Sequence, residues 1–197
     1  MGPDGLLRAT SDAILSANYV ARRLQHAFPT LYSGRNNTVA HECLLDFSQI
    51  TKTTGVSVED IAKRLMDYGF HAPTMSFPVA NTLMVEPTES ESLFELHRFC
   101  EAMLQIRREI DEITHGDVSL EDSVLRHAPH TVEDMADGTT RSYSIAKALY
   151  PLPALRGRTY FVPVSRIDAA YGDRHLVCSC APIEEYEKSL LTDTVSA

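Results

Sequence analysis

YGFHAPTMSFPVANTLMVEPTESES, residues Tyr68 to Ser92, decides how the chain is read, because it runs from the end of one helix through a strand to the start of another. Gly69 is a natural helix stop, since glycine takes left-handed backbone without a Cβ penalty. Pro73 and Pro78 disfavour helix and hold Ala72 and Phe77 extended, so His71 to Pro78 is expected as a fixed, non-helical connection. Thr82 to Glu86 reads as a short strand. Thr88 with Glu91 forms a capping-box pattern, opening a long helix with Leu96, Phe99, Met103, Ile106, Ile110 and Ile113 on one face.

Upstream, Ser57 precedes Glu59, Asp60 and the stripe Ile61, Leu65, Tyr68, a short helix with a candidate N-cap and an acidic first turn that suits its dipole. Thr38 to Phe47 alternates Val39, His41, Cys43, Leu45 and Phe47 against Ala40, Glu42, Leu44 and Asp46, which predicts a strand with His41 on its apolar side. From Asp4 to about Gln25, Leu7, Ile14, Ala17, Ala21 and Leu24 recur at helical steps, followed by Phe28, and Pro29 ends the helix. That helix carries more apolar surface than one seam needs, so a packing neighbour upstream of it is expected. Downstream the pattern weakens: helices are expected near Val132–Met135 and Ile145–Leu149, strands at Thr159–Val162 and Leu176–Ser179, and a polar, fraying tail from Ile183. Few short strands among helices point to a small α+β layer with helices covering one sheet face.

The chain has 197 residues, 44% hydrophobic and 23% charged, which suits one compact unit and excludes disorder. A net charge of -9 with scattered basic residues argues against nucleic acid and membrane partners. Neither an export signal nor a membrane span is read in it. Cys43, Cys100, Cys178 and Cys180 read as reduced thiols, since C-x-C is neither a zinc nor a thioredoxin-like spacing. Dinucleotide, P-loop, zincin and nucleophile-elbow motifs are all lacking.

Functionally, Tyr68–Ser92 is a wall presenting His71, Thr74 and Ser76 to a cleft, with Glu86 and Glu89 near a helix N-terminus, or a purely structural crossover, which composition alone favours. His41 and Glu42 point to opposite faces of a strand and cannot work as a pair. His127 and His130 flank Ala128-Pro129 without nearby ligands for a metal, so a surface or packing role is expected. Tyr171-Gly172-Asp173-Arg174 looks like a turn, with Gly172 at positive φ, Asp173 capping, and Arg174 paired locally or binding a carboxylate.

ATSDAILSANYVARRL, TVAHECLLDF, DIAKRLMDYGFHAPTMSFPVANTLMVEPTESES, ELHRFCEAM and YGDRHLVCSCAP, in that order, resemble the C-terminal part of glycine decarboxylase, the P-protein of the glycine cleavage system. The resemblance implies the C-terminal small domain of a fold-type-I pyridoxal-phosphate enzyme, α+β, with a short, mainly antiparallel sheet covered by helices. It implies residues 1–28 as a connecting helix from a large domain, 29–182 as the small domain and 183–197 as a flexible tail. It further implies decarboxylation of glycine on pyridoxal phosphate bound mainly by the upstream domain, and transfer of the aminomethyl group to a lipoyl carrier protein. The other implied partners are the upstream half of the same enzyme and further copies, in a bacterial cytoplasm or mitochondrial matrix. None of Lys52, Lys63, Lys147 or Lys188 sits in the family's cofactor-lysine context. His71, Thr74, Ser76, Glu86, Thr88 and Glu89 match family blocks and are the candidates for lining a cleft or lipoyl channel. The chain departs from the family at Asn81, where glycine is usual, and at Ser142, Ile145 and Ala146, where the pattern has proline, arginine and glutamate. Alternatives are a non-enzymatic docking module for the carrier or a partner subunit, an inert remnant, and a redox role for Cys178 and Cys180. An unpartnered first helix would make the chain self-associate.

Overall fold

The structure is a computed structural model that describes residues 1–136, 141–177 and 180–186. It divides into two compact units, Met1–Arg166 and a second beginning at Ile167. The first is the expected small α+β layer: β1 (Cys43–Asp46) and β2 (Thr74–Met75) both pair antiparallel with β3 (Thr82–Val85), in the order β1-β3-β2. Two long helices, α1 (Gly2–Leu24) and α4 (Leu93–His115), pack on each other, and α1 also packs on β1. Shorter helices are α2 (Ser48–Thr54), α3 (Val58–Asp67), α5 (Val124–His127), α6 (Val132–Ala136) and α7 (Ile145–Leu149). No helix among the described residues is long and apolar enough to cross a membrane.

Local chemistry explains most of these boundaries. Ser57 caps α3 in a complete capping box with Asp60, and Gly69 turns the chain at φ 76 after it. On α4, Leu96, Phe99, Met103, Ile106 and Ile110 are buried, each contributing about 1.5–3 kcal/mol as apolar area leaves water. Phe28 and Phe47 pack with ring centroids 4.9 Å apart at the centre of the core.

Several expectations are corrected. The strand expected over Thr38–Phe47 is only Cys43–Asp46, because the Asn18 side-chain amide binds both backbone groups of Val39, donating to its carbonyl at 2.8 Å and accepting from its N–H at 2.9 Å. His41 therefore lies exposed, 3.7 Å from Glu86, and not on an apolar face. The cap of α4 is Ser92 with Glu95, not Thr88 with Glu91: Thr88 sits at φ 60, outside the extended region an N-cap occupies, and its hydroxyl bonds that of Ser90. Thr159–Val162 joins no sheet, and the Thr159 hydroxyl donates to the Leu155 carbonyl. Along α1 the buried residues are Ala13, Ala17, Val20, Ala21 and Leu24, while Leu7 and Ile14 of the expected stripe are exposed.

In the second unit, α8 (Ala169–Arg174) replaces the turn expected at Tyr171–Arg174. Asp168 is its cap, accepting from the Tyr171 N–H at 2.8 Å, so neither a positive φ at Gly172 nor a cap from Asp173 is used. Leu176 and Val177 form no strand, and Cys178, Ser179 and residues 187–197 of the expected tail lie outside the described residues.

Candidate functional site

The end of α3, the end of β3 and the first turns of α4 enclose a cleft of about 480 Å³. Gly69 redirects the chain so that Phe70, His71 and Thr74 form one wall, and Glu86 closes β3 on the other. Glu91, Glu95 and Arg98 stand at its α4 side. Arg98 is held on three sides: its guanidinium stacks 3.8 Å over the Phe70 ring, donates to Glu95 at 2.7 and 2.9 Å, and donates to the Tyr68 carbonyl at 3.0 Å.

Of the six candidates, His71, Thr74 and Glu86 meet in this cleft. Ser76 lies in the β2–β3 hairpin at φ 53, where its N–H donates to the Thr82 carbonyl. Thr88 lies in the turn before α4, bonded to Ser90, and Glu89 is exposed beside it. Glu95 and Arg98 were not singled out from the sequence, since a carboxylate and an arginine three residues apart on a helix read as an ordinary surface pair.

Tyr68, whose carbonyl accepts from Arg98, also belongs to a buried charge network. Arg64, fully buried, donates to Glu109 at 2.8 and 3.0 Å, to Asp67 at 2.7 Å, and to the carbonyls of Lys147 and Ala148 at 2.9 and 2.8 Å. Tyr68 donates to Glu109 at 3.1 Å. His130, also buried, has Nδ1 2.7 Å from Asp67 and Nε2 2.9 Å from the Tyr143 hydroxyl. Burial opposes the charge on Arg64, but Glu109 and Asp67 outweigh it and raise its pKa. Burial, reinforced by Glu109, raises Tyr68 above the usual phenol range, and burial pushes Tyr143 up to about 12.

Burial works to raise the Asp67 pKa, yet the hydrogen bond from His130 and the charge of Arg64 prevail and hold it below the ordinary 3.8. A depressed folded-state value means that ionised Asp67 stabilises the fold fully above the ordinary carboxylate range, and that this is lost as pH falls through the depressed value. Asp67→Asn is therefore expected to flatten the acid limb of stability against pH, read by urea unfolding from about pH 2 to pH 6. An acid limb as steep as that of the unaltered chain would refute this assignment.

His127 is exposed and rests against Tyr143, and among the described residues no cluster of His, Cys, Asp and Glu could hold a metal. Cys43 and Cys100 are buried, and burial pushes their thiols up to about 12 and about 11, which leaves them unreactive. Cys180 is exposed, and its expected redox partner Cys178 lies outside the described residues.

Fold and cleft together define a small α+β domain whose helix-flanked antiparallel sheet borders a cleft of mixed polar and apolar side chains. Residues 9–130 match the family described as glycine dehydrogenase, C-terminal domain, and the chain belongs to that family. It is similar to the glycine dehydrogenase (decarboxylating) of Nitrobacter hamburgensis, 60% identical over 190 residues that cover 96% of this chain and 20% of that protein. The enzymes of the same name from Bordetella avium and Deinococcus radiodurans are 58% and 56% identical over 187 residues, 94% of this chain and 20% of theirs. The chain thus spans about a fifth of the length of the curated relatives it matches.

The pyridoxal phosphate implied by the resemblance needs a lysine amine for its aldehyde and donors for its phosphate. The described lysines do not fit: Lys147 is ion-paired with Glu112, Lys52 is exposed, and Lys63 shares a neighbouring cavity with Glu59, Met66 and His71 that has no arginine among its lining residues for a phosphate. Lys188 lies outside the described residues.

Proposed function

We propose that this chain is the small C-terminal domain of a glycine decarboxylase, and that the whole enzyme uses pyridoxal phosphate held by its remaining portion. The observation that carries this reading is identity of 56–60% to glycine dehydrogenases (decarboxylating) across 94–96% of the chain. The complete protein removes the carboxylate of glycine and passes the aminomethyl group to the lipoyl arm of a carrier protein.

In this reading His71, Thr74 and Glu86 line the wall that the small domain turns toward the substrate or the lipoyl channel, and Ser76, Thr88 and Glu89 shape the two turns beside it. Supporting the reading, a histidine, a hydroxyl and a carboxylate converge on one cleft beside Glu91, Glu95 and Arg98. Residues 1–28 connect to the large domain, 29–182 form the small domain and 183–197 the tail. The exposed Leu6, Leu7, Ile14 and Leu15 of α1 supply apolar surface for that junction, and the enzyme assembles from more than one copy.

The test combines this chain with the separately expressed remaining four fifths of a relative, pyridoxal phosphate and glycine, and follows carbon dioxide release. Release is expected only from the combination, with His71→Ala lowering kcat/KM by about tenfold or more through lost positioning. Silence in both arms would transfer the chain to the docking-module reading, for which α1 is the specific support.

A further inference from the structure

On the other side of the Phe70–Arg98 stack is a second cavity, of about 720 Å³, between the first half of α4 and residues 152–160. That volume is in the range of small-molecule sites. Its walls are apolar, made by Phe70, Phe94, Leu152, Leu155 and Tyr160. Phe94 and Tyr160 remain 60% and 69% exposed beside it, so an apolar body seated there would cover both rings.

The charges around this cavity are unevenly spent. Both of its carboxylates already have cations: Glu95 is bound by Arg98 at 2.7 Å and Glu101 by Arg23 at 2.9 Å. Arg158 lines the same cavity and has no ion pair or side-chain hydrogen bond among the described residues. A chain of net charge -9 therefore places at this apolar cavity an arginine with no ion pair among the described residues. Arg98 adds to it, because its contacts with Glu95 and the Tyr68 carbonyl use three of the guanidinium's five N–H groups.

The far wall is fixed at both ends. Arg64 grips the carbonyls of Lys147 and Ala148 before it, and Arg166 after it pairs with Asp60 at 2.7 Å and donates to the carbonyls of Leu125 and Ala128. Gly157, at φ 80 with open space around it, makes the turn that brings Arg158 to the cavity.

We propose that this cavity binds a small carboxylate with an apolar body, the hydrocarbon covering Phe94 and Tyr160 and the carboxylate pairing with Arg158 and the spare N–H groups of Arg98. The cavity shares Phe70, Glu95 and Arg98 with the His71 cleft, but it does not rest on the role proposed for His71 in glycine chemistry.

Octanoate is the probe, titrated into the 197-residue chain with octylamine and octan-1-ol as equal-length controls and followed residue by residue in amide NMR spectra. Saturable octanoate binding is expected, with shifts confined to Phe94, Arg98, Arg158, Tyr160 and their neighbours, and with both controls about tenfold weaker or worse. Arg158→Gln, an exposed change that leaves the dispersed spectrum intact, should weaken octanoate by about tenfold and leave octanol unchanged. Equal affinity for all three probes, shifts elsewhere, or an Arg158→Gln chain that binds octanoate as before would each overturn the proposal. So would concentration-dependent shifts at these residues that block octanoate, which would identify a second copy as the occupant.

Discussion

Glu109→Ala is expected to lower the free energy of unfolding by about 3–5 kcal/mol, the cost of stranding a buried charge. Arg64 has no exposed surface, and Glu109 supplies two of its hydrogen bonds as well as the acceptor for Tyr68. Removing the carboxylate leaves Asp67 alone to balance the guanidinium, and Asp67 is already shared with His130. The net worth of the pair is a different quantity, because taking both charges out of water is itself unfavourable. Arg64→Met combined with Glu109→Met should accordingly recover part of the loss, so that the two single effects do not add. Urea unfolding of the unaltered chain, Glu109→Ala, the two single methionine variants and the double variant measures this. A loss for Glu109→Ala of about 1 kcal/mol or less, the scale of an exposed pair, would show that water reaches the network.

Phe47→Ala should cost a similar amount, about 3–5 kcal/mol, by a different mechanism. Phe47 is fully buried where β1 turns into α2, with its ring tilted against that of Phe28. Alanine forfeits the transfer energy of the ring, leaves a cavity that the sheet and α1 can close only in part, and loses an aromatic pair worth about 0.5–1.5 kcal/mol. Phe47→Leu keeps much of the volume and should retain most of the stability. Adding Phe28→Ala to Phe47→Ala should cost less than the sum, because both remove the same pair. Thermal or urea unfolding decides it, and equal losses for leucine and alanine would mean that the cavity is not what sets the effect.

The sequence carried those parts of the fold that local chemistry governs. Gly69, the Ser57–Asp60 box and the stripe of α4 act within one or two helical turns, and each is found where its residues point. The strand at Thr38 failed because a side chain 21 residues away, Asn18, takes the backbone groups a ladder would have used. Thr88–Glu91 and Ser92–Glu95 are two S/T-x-x-E patterns in succession, and what separates them is the backbone angle at Thr88, a tertiary outcome. The α+β class followed from the alternation of elements, whereas the strand order β1-β3-β2 depends on long-range pairing that no local pattern encodes.

Much the same division holds for the site. His71, Thr74 and Glu86 were visible because prolines and a glycine mark their segment as rigid. Arg98 was not, since its importance comes from the Phe70 ring and the Tyr68 carbonyl, contacts made between elements. The buried network did leave a trace. Arg64 interrupts the stripe Ile61, Leu65, Tyr68, and Glu109 interrupts Ile106, Ile110, Ile113, a charge on the inner face of each helix that has to find its opposite.

Leu6 and Leu24 stand about five turns apart on the same line of α1, yet Leu24 is wholly covered and Leu6 is 58% exposed. The inner face of the helix thus outruns the body it packs against, leaving its first turns as an arm already in its final shape. A flexible segment of that length would forfeit about 1–2 kcal/mol of backbone entropy per residue on docking. The arm has little such freedom left to lose, so even a modest apolar contact along it can hold.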